Sequence, residues 1–183
     1  MQQKKKNPWK KLSSKIVYEN PWFKLREDQA EKPGNRTGTY GYIDIHPAVL
    51  IIALNDSSEV YLIGLFRYPS GKYSMEVPTG GSDGEDLLSS AKRELKEETG
   101  LEAKNWIEIG KFRPYDGISN EVDHVFLAQD LIQTNSDPDP DEGILEVRQV
   151  PFTKVFDLIE SGDISSGQTI SALTLAKIYL GHR

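Results

Sequence analysis

The stretch from Gly80 to Leu101, GGSDGEDLLSSAKRELKEETGL, constrains this chain more than any other. A glycine-rich loop runs into a segment of helical pattern that carries Arg93, Glu94, Glu97 and Glu98 and closes at Gly100. At about 100° of rotation per residue, offsets of three and four share a helix face, so Glu94, Glu97 and Glu98 fall within one arc. Leu88, Ala91 and Leu95 follow the same spacing on an adjacent face, the stripe expected to dock on a core while the glutamates look into a neighbouring cleft. Ser82 and Glu85 have capping-box spacing, which predicts a helix start there, and Gly100 suits a left-handed C-cap.

Like charges three and four residues apart disfavour an isolated helix by roughly 0.2–0.5 kcal/mol per pair. A divalent cation reverses that penalty, and an all-carboxylate set suits oxygen-preferring Mg²⁺ better than Zn²⁺. The alternative is a solvated acidic face balanced by Lys92, Arg93 and Lys96.

Position by position, Glu85, Arg93-Glu94-Leu95, Glu97-Glu98 and Gly100-Leu101 resemble the signature of the Nudix hydrolases: Gly, five residues, Glu, seven residues, then Arg-Glu-aliphatic-x-Glu-Glu-x-Gly-aliphatic. The spacing matches without a gap from Glu85 to Leu101, whereas Gly80 lies one residue too close to Glu85. The resemblance implies a Nudix α/β/α sandwich, with a mixed β-sheet between helices. It also implies Mg²⁺ or Mn²⁺ held by Glu94 and Glu98, with Glu97 and the Thr79 carbonyl. Arg93 would steady the glutamates by salt bridges, with Gly80 and Glu85 supporting the site.

Flanking segments resemble one subgroup, the ADP-ribose and nucleoside diphosphate sugar pyrophosphatases. Glu76-Val77-Pro78-Thr79-Gly80 is similar to its Glu-x-Pro-Ala-Gly segment, with Thr79 replacing a small apolar residue. Arg67 in Phe66-Arg67-Tyr68-Pro69 matches a pocket-mouth position, where a guanidinium holds a diphosphate through paired hydrogen bonds; pairing with Glu76 is the alternative. Pro114 to Glu121 resembles the subgroup's Pro-Gly-x-Ser-x-Glu loop and makes Glu121 a candidate for metal or substrate, or a plain surface acid. The acidic Asp137–Glu142 block stands where the family's loops supply a carboxylate that activates water. Glu142 is the first candidate, with Asp139 and Asp141 behind it; an unligated solvated loop is the alternative. Trp22, Phe23 and Tyr115 are aromatic candidates for stacking on a nucleobase or for the core.

A length of 183 residues suits one domain with a sizeable core. The expected organisation is a basic arm over residues 1–12 and a single domain over 13–183, with a strand region at 13–45 and the Nudix core at 46–183. With no cysteine, thiolate chemistry and disulfides are excluded, in keeping with a cytoplasmic setting. No apolar run reaches the roughly 20 residues of a membrane span. A net charge of −6 argues against general nucleic-acid binding but leaves a local basic patch free to meet phosphates, and a phosphate- or RNA-binding tail is the alternative for residues 1–12. His46, His124 and His182 show no metal-ligand spacing. Strands are predicted within Ser14–Ala30 around Asn20-Pro21, then over Thr39–Ile45, Ala48–Leu54 (buried on both faces), Val60–Phe66, Trp106–Phe112, Val122–Ala128 and Ile144–Val150, and helices over Phe152–Glu160 and Ile170–Leu180.

The expected function is hydrolysis of a nucleoside diphosphate joined to a sugar, with ADP-ribose giving AMP and ribose 5-phosphate as the leading case. GDP-mannose, dinucleoside polyphosphates and nucleoside triphosphates are the enzymatic alternatives, and a non-catalytic nucleotide sensor is the alternative of another class. The subgroup's N-terminal strand region implies a homodimer.

Overall fold

The computed structural model describes residues 6–134, 140 and 143–181, which fall into two compact units, Met1–His46 with Tyr115–Glu121, and Pro47–Pro114 with Val122–Arg183.

The N-terminal unit is a three-stranded antiparallel sheet of β1 (Lys10–Glu19), β2 (Phe23–Lys32) and β3 (Arg36–Ile45), with β2 central. β1 starts at Lys10, so Lys10–Leu12, assigned above to the arm, are in the sheet. The turn into β2 forms because the Asn20 side chain accepts the main-chain N–H groups of Trp22 and Phe23 at 2.9 and 2.8 Å. Gly34 and Asn35, at φ 86° and 59°, close the next hairpin in the left-handed region those residues tolerate. Residues 115–121 lie on β3: Ile43 N–H donates to Ile118 O at 2.8 Å, Tyr40 OH to Gly117 O at 2.8 Å, and the Asn120 amide to Asp44 Oδ1 at 2.6 Å.

The larger unit is organised on β4 (Ala48–Ala53), every residue of which is buried. Its strand period of two feeds two cores. Leu50 and Ile52 pack with Leu62, Val125 and Leu127 against Leu173 and Ala176 of α3 (Gly167–Gly181). Val49, Ile51 and Ala53 pack with Phe126 against Ala91 and Leu95 of α1 (Leu87–Thr99). The expected mixed sheet has the order β7 (Thr79–Gly81), β4, β9 (Asp123–Gln133), β8 (Leu101–Phe112), with only the β4–β9 pair parallel. A second, antiparallel sheet of β10 (Ile144–Pro151), β5 (Glu59–Arg67) and β6 (Lys72–Glu76) accompanies it, followed by α2 (Val155–Ser161).

Asp86, not Ser82, caps α1: its side chain accepts Ser89 N–H at 3.0 Å. Asp83 and Gly84 both take positive φ, 49° and 85°, so no right-handed helix can run through them, and Ser82 with Glu85 closes a turn instead. Gly100 ends α1 at φ 70°, its N–H donating to Lys96 O.

Asp123 is fully buried where β9 begins and accepts from Gln168 of α3 at 2.9 Å, while its Oδ1 has no hydrogen-bond partner among the described residues. Burial pushes its carboxyl above the usual range, against the Gln168 hydrogen bond and the nearby His124. A raised folded pKa contributes stability that is complete below the ordinary Asp range and is lost as pH rises through the raised value. Asp123→Asn is therefore expected to be more stable than the parent at neutral pH, with the advantage vanishing in acid; urea unfolding at both pH values measures it.

Candidate active site

Seven of the residues singled out above come together where α1 crosses β7. Glu94 and Glu98, one turn apart on α1, are 5% and 3% exposed. Both converge on β7: Thr79 N–H donates to Glu98 Oε2 at 2.7 Å, and a Cβ at Gly80 would sit 1.9–2.3 Å from the carboxyl atoms of Glu94. Gly80 is thus required by the close approach of a carboxylate to the main chain, with no need of special dihedrals. β7 is held in turn by Leu50 and Val49 of β4, opposite Thr79 and Gly80.

Arg93 links the remaining members. Its guanidinium contacts Glu94 at 2.8 Å, Glu97 at 2.7 Å and Glu85 at 3.8 Å, and donates to Gly81 O at 3.2 Å. Partial burial by itself would lower its pKa, but Glu94 and Glu97 hold it above the ordinary arginine value. Glu97 is half-buried beside Arg93, whereas Glu94, which the same guanidinium contacts, and Glu98 are buried. The solvated-face alternative does not describe this helix, because two of its three glutamates are buried.

The donor set is all oxygen, two buried carboxylates beside main-chain groups of a glycine strand, and it fits a hard divalent cation. Among the described residues no three His, Asp or Glu side chains already form a metal cage. What is present is the convergent Glu94–Glu98 pair.

Arg67 and Glu76 form a second group: Arg67 donates from Nε and Nη2 to Glu76, with the closest contact 2.7 Å. The ion-pair alternative is realised, and Glu76 is buried while Arg67 remains partly exposed. Glu121 is half-buried and Trp22 is 72% exposed, both in the N-terminal unit. Trp22 lines a pocket of about 160 Å³ with Phe23, Lys24, Ile45 and His46. Tyr115 is also exposed, so neither it nor Trp22 is a core residue. Glu142, Asp139, Asp141 and His182 lie outside the described residues. The Gly81 carbonyl was missed from the sequence, since only its motif glycine neighbour carries a signal.

A family model described as the NUDIX domain matches residues 44–173. The chain belongs to the Nudix family. A second model, the nucleoside diphosphate sugar hydrolase N-terminal domain, matches residues 9–43. The chain is 28% identical over 167 residues to an ADP-ribose pyrophosphatase of Bacillus subtilis (strain 168), covering 90% of each chain. It is 24% identical over 181 residues to a GDP-mannose pyrophosphatase of Yersinia enterocolitica, covering 92% of this chain and 94% of that one. A crystal structure of an ADP compounds hydrolase superposes with a TM-score of 0.83 at 24% identity, over 98% of both chains, which establishes the shared fold. This Nudix chain is accordingly a pyrophosphohydrolase, of a family that cleaves compounds linked through a nucleoside diphosphate and that uses divalent metal ions.

Gly80→Ala tests the carboxylate approach. The added methyl must displace Glu94, and displacements near 1 Å at a catalytic centre cost on the order of 10²-fold in rate. The expected variant is folded, by circular dichroism, with kcat down by about that factor.

Proposed function

We propose that this Nudix enzyme hydrolyses a nucleoside diphosphate joined to a sugar, with ADP-ribose giving AMP and ribose 5-phosphate as its first substrate. The observation that carries the reading is the succession of the two matched domains, the nucleoside diphosphate sugar hydrolase N-terminal domain directly ahead of the Nudix domain. The ADP-ribose pyrophosphatase relative from B. subtilis, aligned along nine-tenths of both chains, supports the choice of ADP-ribose. GDP-mannose is the second reading, favoured by the GDP-mannose pyrophosphatase relative from Yersinia, aligned along more than nine-tenths of both chains.

Glu94 and Glu98 would hold Mg²⁺ or Mn²⁺, with Glu97 and the Thr79 carbonyl completing the set. The bound cation supplies charge neutralisation at the diphosphate oxygens. Arg93 fixes Glu94 and Glu97 and leaves the substrate to other groups. Gly80 and Glu85 shape the loop around that clamp. Arg67, steadied by Glu76, offers a guanidinium to the diphosphate. A carboxylate, Glu142 or Glu121 with Asp139 and Asp141 as alternatives, takes the proton from the attacking water, a contribution of roughly 10²–10⁴-fold. The water oxygen bonds to one phosphorus, the bridging P–O bond breaks, and both products leave as monophosphates. Trp22 presents an exposed indole for stacking on the base. The assembly would be a homodimer and the compartment the cytoplasm.

The test is turnover of ADP-ribose, GDP-mannose, a dinucleoside polyphosphate and a nucleoside triphosphate with Mg²⁺, by wild type and Glu98→Gln. ADP-ribose is expected to have the highest kcat/KM, and Glu98→Gln to lose more than tenfold, about 1.4 kcal/mol of barrier. A smaller loss would remove Glu98 from the centre, and a different leading compound would replace ADP-ribose.

A further inference from the structure

A groove between α1 and β8 belongs neither to the Glu94–Glu98 pair nor to the core. It has a volume of about 430 Å³, in the range of small-molecule sites, and all of its lining residues lie in the larger unit. Lys92, Arg93 and Lys96 line it from the helix, and Glu102, Ala103 and Trp106 from the strand. Three cations face one carboxylate there, in a chain of net charge −6.

The helical period builds the basic wall. Lys92 and Lys96 are four residues apart and exposed, so they share one face of α1, with Cβ atoms roughly 5–6 Å apart. Arg93 is committed to Glu94 and Glu97, so the two lysines are the donors a ligand meets. The Lys92 ammonium has no ion pair or hydrogen bond among the described residues. Lys96 pairs with Glu102 at 2.8 Å, but the two side chains are 48% and 51% exposed; an ion pair so open to water contributes little and exchanges readily for another anion.

The opposite wall is a fixed ring. Trp106 donates its indole N–H to Ala103 O at 3.0 Å and meets Phe126 edge-on, with ring centroids 6.4 Å apart. Its one donor is used, and what it offers a ligand is ring surface. A cationic ligand would be opposed by the lysines, and a purely apolar one would leave them without a role. A flat ring bearing a phosphate uses both walls: the ring lies on Trp106, and the phosphate oxygens accept from Lys92 and Lys96.

We propose that this groove is a nucleotide site separate from the Glu94–Glu98 group, and that it takes a nucleoside monophosphate with its base on Trp106 and its phosphate on Lys92 and Lys96. The inference draws nothing from the substrate reading above; AMP is simply a convenient member of the class. Bound there, the nucleotide exchanges the exposed Lys96–Glu102 pair for a phosphate held by two lysines.

The experiment follows Trp106 fluorescence in a Trp9→Phe/Trp22→Phe chain, which keeps Trp106 alone of the three tryptophans, during titration with AMP in EDTA. AMP is expected to quench the signal saturably, with adenosine and ribose 5-phosphate each binding at least tenfold more weakly. Adding Lys92→Gln/Lys96→Gln is expected to weaken AMP at least tenfold. Calorimetry on wild type and on the lysine pair alone makes the same comparison without the phenylalanine changes. The lysine pair, at exposed positions, is expected to keep the wild-type circular dichroism and initial ADP-ribose turnover. Absence of saturable quenching, adenosine or ribose 5-phosphate binding as tightly as AMP, or AMP affinity unchanged by the lysine pair each overturns the site. Turnover lost with the lysine pair would overturn its separateness from the catalytic centre. The hydrolase reading stands through any of these results if wild type cleaves ADP-ribose; a wild type that cleaves no diphosphate while the quenching behaves as expected overturns that reading alone.

Discussion

Two carboxylates are buried one helical turn apart, and the site depends on how that arrangement is tolerated. Buried charge is costly unless it is paired or hydrogen-bonded. Glu94 has the Arg93 guanidinium at 2.8 Å and Glu98 has the Thr79 N–H at 2.7 Å. Each carboxylate thus has a protein partner before any cation arrives, and the partners lie on opposite elements, helix and strand. Arg93 also joins Glu97, Glu85 and the Gly81 carbonyl, so one planar fork with five donors ties the loop, the strand and the helix face together. A lysine could not make this set of contacts from one point charge.

The rest of the larger unit serves that arrangement. β4 is buried on both faces because it lies between α1 and α3, and its edge pairs with β7, the strand that receives the glutamates. α1 is pinned through Ala91 and Leu95, both fully buried, which fixes the rotation that turns Glu94 and Glu98 inward. The first turn of α3 contributes as well: Thr169 Oγ1 accepts Val77 N–H at 3.3 Å, just ahead of β7, and Gln168 holds Asp123. Backbone position at Thr79–Gly80 is therefore set from both core faces, as a site that must place carboxylates closely requires.

Much of this was legible in the sequence. The apolar run at Ala48–Leu54, the helix ending at Gly100 and the alternation of Leu88, Ala91 and Leu95 with the glutamates each follow from a period or a cap that a single segment determines. The helix start was not legible, because Ser82 and Asp86 both have cap chemistry and the left-handed turn at Asp83 and Gly84 decides between them. β6 and β7 are short, with Pro78 between them, and their pairing comes from β5 and β4 instead of from any alternation of their own. Equivalent acids along α1 also differ in fate: Glu94 and Glu98, which meet β7, are buried, and Glu97 is half-buried beside Arg93. Trp22 carries an aromatic signal that reads equally as core or surface until the turn at Asn20 places it outside.

Binding of Mn²⁺ to the purified chain, followed by loss of the free-ion electron paramagnetic resonance signal, tests the central claim most directly. The account predicts that wild type removes the free signal and that a Glu94→Gln/Glu98→Gln variant, still folded, binds at least tenfold more weakly, about 1.4 kcal/mol. Equal Mn²⁺ affinity in the two proteins would contradict it.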